Sequence, residues 1–333
     1  MSDGSRATKT KLGATGPEVF PIALGCMGMS GMYGASSEDE GIATIHAAID
    51  RGVTLIDTGD FYGMGHNEML VGRALKGGRR DKVQVSVKFG ALRGPDGAFI
   101  GIDTRPVAVK NFVAHSLTRL GVDFIDIYRP ARLDPNVPIE DTIGAIAELV
   151  QKGYVRHIGL SEVGADTIRR AHAVHPIVDL QVEYSLISRK PEEKIFPVLA
   201  ELGISATLYG VLSRGLLSGS KPSGPSDFRS RLPRFSAANR AQNDTVVGAV
   251  AAFAAARGQT PAQLAIAWAL AKQPRLVPLI GARTRQQLDG ALGALDKPLS
   301  ASELAELERI VPRDAVAGTR YDEVQMAHLD SEH

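Results

Sequence analysis

The sequence predicts an α/β fold, a (β/α)8 barrel. Three observations carry this. Eight short runs, β-branched and nearly uniformly apolar, recur along the chain, the pattern of parallel strands covered on both faces. Stretches with a helical period separate them. The chemically distinctive residues stand just after strand ends along much of the chain, as in a ring of loops around one mouth. A doubly wound open sheet, the competing arrangement, would gather them at one switch point.

Taken in order, residues 11–20, with turn residues at 13–17, read as a small N-terminal β-hairpin able to plug the bottom of the barrel. The apolar runs follow at 22–24, 53–56, 83–87, 124–128, 155–160, 178–181, 204–208 and 276–280. A helix is expected at 37–50, where Ser37 and Glu40 form a capping pattern. Another is expected at 105–120, with Val109, Phe112, Val113, Leu117 and Leu120 at helical spacing. The same period appears at 139–150 in Ile139, Ile143, Ile146, Ala147 and Val150, and it stops at Gly153. Further helices are expected at 191–202, 245–257, 261–272, 284–295 and 300–310. Thr260 and Pro261 give the helix at 261–272 its N-cap and first-turn proline. Residues 209–243, rich in Gly, Pro, Ser and Arg, read as a long functional loop. The whole chain, 1–333, is expected to be one barrel domain.

Composition excludes several functions. Lys+Arg 38 against Asp+Glu 37 leaves a net charge of +1, which argues against nucleic acid as a partner, because phosphate binding needs a surplus of basic residues on one face. The single cysteine, Cys26, rules out an internal disulfide framework and a Cys-based zinc cluster. It reads as a small buried packing residue. The histidines show no metal-ligand spacing, so no metal is assigned. No apolar run reaches the roughly 18 residues of a membrane helix, and the polar first ten residues lack a signal peptide's apolar stretch. A cytoplasmic protein is expected; association into a homo-oligomer is left open.

The segment Leu55-Ile56-Asp57-Thr58-Gly59-Asp60-Phe61-Tyr62-Gly63 puts Asp57 at the end of one strand and Tyr62 just beyond it. Lys88 ends the next strand, in Val85-Ser86-Val87-Lys88-Phe89-Gly90. A lysine buried there without a partner would cost several kcal/mol or lose its proton. Asp57 on the adjacent strand is the natural counter-ion. A cation beside Tyr62 stabilises phenolate and lowers the tyrosine pKa from about 10, so Tyr62 could donate a proton to a carbonyl oxygen. On spacing alone, a buried ion pair with a packing tyrosine explains the same residues equally well. Met27, Tyr33, Phe61, Phe89 and Tyr321 are expected to line an apolar substrate pocket.

At this point the sequence resembles the aldo-keto reductases, over nearly its whole length. The motifs are Leu24-Gly25-Cys26-Met27-Gly28-Met29-Ser30, Asp-Thr-(x)2-Phe-Tyr-Gly from Asp57, Lys88 at the third strand's end, Asp134-Pro135-Asn136-Val137-Pro138-Ile139-Glu140-Asp141, Ile158-Gly159-Leu160-Ser161 and the tail from Arg320 to Met326. The resemblance implies a (β/α)8 fold and hydride transfer from NADPH to aldehydes and ketones. It implies Tyr62 as general acid, with Asp57 and Lys88 as its tuning pair.

One departure is informative. The family's fourth catalytic residue is a histidine at the end of strand four, in a stretch reading Tyr-x-x-His-Arg. Here the stretch is Tyr128-Arg129-Pro130-Ala131-Arg132, so Ala131 takes the histidine's place. Three outcomes are open. The substrate fills the space. An arginine reaches in: Arg129 shares Ala131's face by strand alternation, while Arg132 needs a bend. Or reduction is crippled, leaving a cofactor-binding regulatory protein. The intact Asp57, Tyr62 and Lys88 favour the first two. A pyridoxal-reducing branch of the family also has Ala-Arg at this point, which makes pyridoxal a candidate substrate.

No Gly-x-Gly-x-x-Gly fingerprint follows the first strand, so Rossmann-type binding is not expected. A barrel has another phosphate site, in the loops after strands seven and eight. There Gly281 lets the backbone approach a phosphate, a helix N-terminus follows, and Arg283 can pair bidentately. The resemblance implies that Gly281, Arg283 and Gln287 grip an adenosine 2′-phosphate, which favours NADPH over NADH. It also implies that Ser161 and Gln181 hold the nicotinamide carboxamide, with Tyr209 stacked on the ring. The backbone at Leu212, Arg214, Gly215 and Leu217 would lie along the pyrophosphate, Gly210 and Gly215 permitting close approach. The Arg214 side chain is either a phosphate contact or a loop-surface charge. Glu162 and Ala291 depart from the pattern, which often has asparagine at both places.

Overall fold

The computed structural model describes residues 8–32, 36–222, 224, 227–272 and 274–333. Eight parallel strands close into a barrel in chain order. They are β1 (Ala23–Gly25), β2 (Leu55–Gly59), β3 (Gln84–Phe89), β4 (Ile125–Pro130), β5 (Val155–Ser161), β6 (Ile177–Glu183), β7 (Ser205–Tyr209) and β8 (Leu276–Gly281). The register sets Gly25 beside Asp57, Asp57 beside Ser86, Lys88 beside Arg129 and Ser161 beside Gln181. Helices wrap the outside: α1 (Glu38–Asp50), α2 (His66–Ala74), α3 (Pro106–Leu120), α4 (Ile139–Gln151), α5 (Ala165–Val174), α6 (Ile195–Leu202), α7 (Ala237–Ala256), α8 (Pro261–Lys272), α9 (Arg285–Leu292) and α10 (Ala301–Ile310); the short α11 (Glu323–Ala327) follows in the C-terminal segment.

Strand alternation divides the interior. Outward-facing Val85, Val87 and Phe89 share one large apolar cluster with Val109 and Val113 of α3. Inside, a separate cluster of Leu12, Val19, Ala23, Leu55, Ile127, Val178, Val277 and Leu279 fills the bottom. Leu12 and Val19 come from the expected hairpin, which pairs Thr10–Lys11 with Glu18–Val19. Gly13 turns at φ 60°, where a Cβ would stand 2.6 Å from the Val178 carbonyl oxygen. Its N–H donates to Ser205 Oγ at 2.7 Å, seating the plug.

The strands at the site run longer than the apolar runs suggest. β2, β3 and β4 extend through Asp57, Lys88 and Arg129, because polar side chains aimed into the upper barrel leave the strand's backbone pairing intact. The apolar-run criterion stops at each of them. Sequence reasoning also passed over α2 and α5, short helices with few large apolar residues, and a hairpin pairing Ala91–Arg93 with Phe99–Ile102 beyond β3. The long segment after β7 is organised as short 3-10 turns, and α7 begins at Ala237, ahead of the expected start at 245.

Candidate active site

β2, β3 and β6 carry Asp57, Lys88 and Gln181 to the barrel mouth, all three buried. Lys88 Nζ donates to Asp57 Oδ1 and to Gln181 Oε1 at 2.8 Å. Gln181 Nε2 donates to Asp57 Oδ2 at 2.9 Å, and Ser86 Oγ donates to the same oxygen at 2.8 Å. The ion pair expected between neighbouring strands is therefore closed by a third side chain from across the barrel. Burial pushes the Lys88 ammonium below its ordinary pKa; Asp57 opposes this, and Arg129 and Arg132 reinforce it.

Tyr62 stands over this triangle. Gly59 makes room: a Cβ there would lie 3.3 Å from the Tyr62 ring. The turn after Tyr62 runs left-handed through Gly63 and Met64, each at φ 56°. The buried ring has Lys88 Nζ 5.2 Å from its centroid and meets Phe61 edge-on at 4.8 Å.

Arg129 does not line the mouth. It is fully buried one layer below, where its Nη1 donates to Asp179 Oδ2 at 3.0 Å and its Nη2 to Ser86 Oγ at 3.1 Å. A Cβ at Gly159 would stand 2.8 Å from Asp179 and 3.0 Å from the Arg129 guanidinium carbon, so the glycine leaves space for the pair. Alternation does aim Arg129 inward, as expected, but Asp179 captures it at depth. Arg132 makes the bend: its Nη1 donates to the carbonyl oxygen of buried Ala131 at 2.6 Å. Burial lowers its pKa, yet Tyr209, Tyr321 and Glu162 lift it above the ordinary value, which places those groups within electrostatic reach. Phe89 also leaves the expected pocket. It points outward and stacks on Tyr128 at 4.3 Å. Met27, Phe61 and Tyr321 are half-buried; Tyr33 lies outside the described residues. Cys26 is fully buried and its thiol is pushed up by burial.

The remaining predicted residues ring the same mouth. Ser161 ends β5, and its buried Oγ has no hydrogen-bond partner among the described residues. Tyr209 ends β7. After it the chain is left-handed at Gly210, Ser213, Arg214 and Gly215, with φ 69°, 47°, 55° and 92°, and both Leu212 and Leu217 pack on the core. Arg214 is no loop-surface charge: its buried guanidinium donates to Glu183 at 2.9 Å and lies 4.3 Å over the Tyr321 ring. Gly281 ends β8 with open space where a Cβ would be. Thr284 caps α9 by accepting the Gln287 N–H at 3.2 Å, and Gln287 Oε1 accepts the Arg283 N–H at 2.8 Å. Arg285 is drawn away to Glu40 at 3.0 Å. A partnerless buried hydroxyl, an open glycine and a helix N-terminus at one mouth suit an elongated phosphate-bearing ligand.

Two groups here were not found from sequence. Arg93, from the added hairpin, lies 5.8 Å from the Phe61 ring centroid. Arg320, from the C-terminal segment, donates to Glu162 through both terminal nitrogens. Burial raises the Glu162 carboxyl, but Arg320, Arg132 and Ser331 pull it down to about 2.

The pattern of the aldo/keto reductase family matches residues 21–312. The chain belongs to the aldo/keto reductase family. It is 43% identical over 317 residues to "Probable aldo-keto reductase 1" of Glycine max, covering 93% of this chain and 91% of that one. Among solved structures it resembles the glycerol dehydrogenase AKR11B4 of Gluconobacter oxydans, with a TM-score of 0.83, 29% identity and 93% and 96% of the two chains covered. It also resembles the aldo-keto reductase AKR11C1 of Bacillus halodurans in its holo form, with a TM-score of 0.78, 27% identity and 95% and 100% covered. This aldo-keto reductase is thus an oxidoreductase that uses a nicotinamide cofactor and acts on small carbonyl compounds. Among its described residues no helix is long and apolar enough to cross a membrane.

Proposed function

We propose that this aldo-keto reductase reduces an aldehyde or ketone with NADPH and that Tyr62 delivers the proton. The observation that carries this reading is the buried Lys88 ammonium, bonded to Asp57 and Gln181 and 5.2 Å from the Tyr62 ring centroid. A positive charge in that position stabilises phenolate, so the Tyr62 hydroxyl releases its proton to a carbonyl oxygen more readily. Asp57 keeps the ammonium in place and charged. The cofactor, when bound, supplies the hydride.

Ser161 and Gln181 would hold the carboxamide, with Tyr209 as the nicotinamide platform. The left-handed backbone around Leu212, Arg214, Gly215 and Leu217, entered through Gly210, would follow the pyrophosphate. Gly281, Arg283 and Gln287 would take the adenosine 2′-phosphate at the α9 N-terminus, which favours NADPH over NADH. Met27, Phe61, Ala131 and Arg132 would face the substrate. Arg132 offers the donor that Ala131 lacks, and the small alanine in the histidine's place would leave room for a broad aromatic aldehyde such as pyridoxal. We read all of 1–333 as one domain serving this reaction.

The test is to follow NADPH and NADH consumption with pyridoxal and a panel of simple aldehydes. Turnover that vanishes in Tyr62→Phe, while cofactor affinity holds, is the expected result. Absence of turnover with every carbonyl, despite bound cofactor, would overturn the reading.

A further inference from the structure

The end of β5 carries a buried carboxylate that the reaction above does not use. Glu162 is fully buried, and its backbone is left-handed at φ 54°, a conformation that a residue with a side chain adopts only when its surroundings hold it. Oε1 accepts from the Glu183 N–H at 2.8 Å, from the Tyr209 hydroxyl at 2.7 Å and from Arg320 Nη1 at 2.9 Å. Oε2 accepts from Arg320 Nη2 at 2.6 Å and from the Ser331 hydroxyl. Arg320 is itself held by Glu332 at 2.8 Å, and Asp330 accepts the Gly164 N–H at 2.7 Å. The C-terminal segment is thus tied to the β5 end at several points, and Glu162 lies between that segment and Tyr209.

A hydrogen bond at its far end narrows the orientations open to a tyrosine ring. Here the Tyr209 hydroxyl donates to the Glu162 carboxylate, accepts from Arg320 Nη1 at 3.3 Å and lies 3.1 Å from the Tyr321 hydroxyl. The carboxylate is its charged acceptor and accepts at both oxygens, so it serves Tyr209 and Arg320 together. A glutamine would turn a donor NH2 toward Arg320 or Tyr209 and break one side of the arrangement.

We propose that Glu162, clamped by Arg320, is a positioning residue that fixes the Tyr209 ring for the nicotinamide, making the segment from Arg320 to Glu332 part of the cofactor site. The proposal rests on the reading of Tyr209 as the nicotinamide platform.

The experiment measures the NADPH dissociation constant by fluorescence quenching, and Tm alongside it, in the full chain. Glu162→Gln and Tyr209→Phe should each weaken NADPH binding by about tenfold, the scale of one charge-assisted hydrogen bond. The double variant should be no weaker than Tyr209→Phe alone, because without the hydroxyl Glu162 has nothing left to tether. Arg320→Ala should match Glu162→Gln. If Glu162→Gln lowers Tm but leaves NADPH affinity within about twofold, Glu162 is merely structural and the proposal fails. Should Glu162→Gln not fold, Tyr209→Phe carries the test, since it removes only the hydroxyl; unchanged affinity there overturns the proposal. Tyr209→Ala separates the two levels. Weakened binding in Tyr209→Ala with normal binding in Tyr209→Phe and Glu162→Gln leaves the platform standing and sinks the tether. Unchanged binding in Tyr209→Ala sinks the platform, and the tether with it.

Discussion

Lys88 on β3 and Gln181 on β6 reach each other across the barrel mouth, Nζ to Oε1 at 2.8 Å. Gln181 also donates to Asp57 at 2.9 Å, so it bonds both members of the buried ion pair. Replacing it with Leu leaves the pair with unmet hydrogen-bonding capacity in a dry site, and hydrogen bonds to charged groups are worth about 1.5–3 kcal/mol each. Gln181→Leu should lower kcat on the order of tenfold or more. Lys88→Met, which removes the charge itself, should lower it by about 10²–10⁴. Steady-state kinetics with one reduced aldehyde checks both. Equal rates for the wild type and Gln181→Leu would show that the triangle does not support the proton donor.

The pair below it is a matter of stability. Arg129 and Asp179 are both fully buried, and Thr207 Oγ1 adds a bond to Asp179 at 2.7 Å. Asp179→Ala strands the Arg129 charge in the barrel interior, which costs about 3–5 kcal/mol. Urea unfolding should show a lower midpoint with an unchanged m-value. A loss below about 1 kcal/mol would mean that solvent reaches the guanidinium.

Ala131 gives a prediction about specificity. Its side chain is buried, and Arg132 folds back over its carbonyl oxygen. Ala131→His adds an imidazole donor and a larger side chain. It should raise kcat/KM for small aldehydes and lower it for bulky aromatic ones. Parallel changes across the whole panel would dismiss the small side chain at 131 as a determinant of specificity.

Asp60 predicts a pH dependence of stability. Burial lifts its carboxyl to about 7; Glu68 adds to the rise, while the Gly90 N–H and Arg119 oppose it. The folded state therefore keeps a proton that the unfolded chain loses near pH 4. Stability falls as pH rises above that value, and the loss is complete once pH passes about 7. Asp60→Asn removes this slope, so its Tm advantage over the wild type should be larger at pH 8 than at pH 5. A pH-independent offset between the two proteins would refute the assignment.

Sequence reads the outside of this barrel better than the inside. Residues such as Val85, Val87 and Phe89 announce β3 because helices cover them. Lys88, between the last two, interrupts that pattern although it belongs to the same strand. Alternation correctly turns Arg129 inward, but depth is decided by its partner: Ala131 stands two residues farther along, about 6–7 Å higher, and Asp179 comes from a distant strand. The Glu162–Arg320 contact spans 158 positions, and no local spacing signals it. The helix start at 281–287 was legible because Gly281, Arg283 and Gln287 are close in sequence around one capped turn.

The seated plug has a kinetic side. Gly13 bonds Ser205 across 192 positions, and Leu12 packs in a cluster that includes Val178 and Val277. The hairpin therefore has no dock until most of the barrel strands exist. Contacts of such sequence separation slow folding, because the chain entropy is lost before the contact rewards it. During synthesis the hairpin precedes every strand that docks it, so Leu12 and Val19 wait exposed until Val178, Ser205 and Val277 have been made.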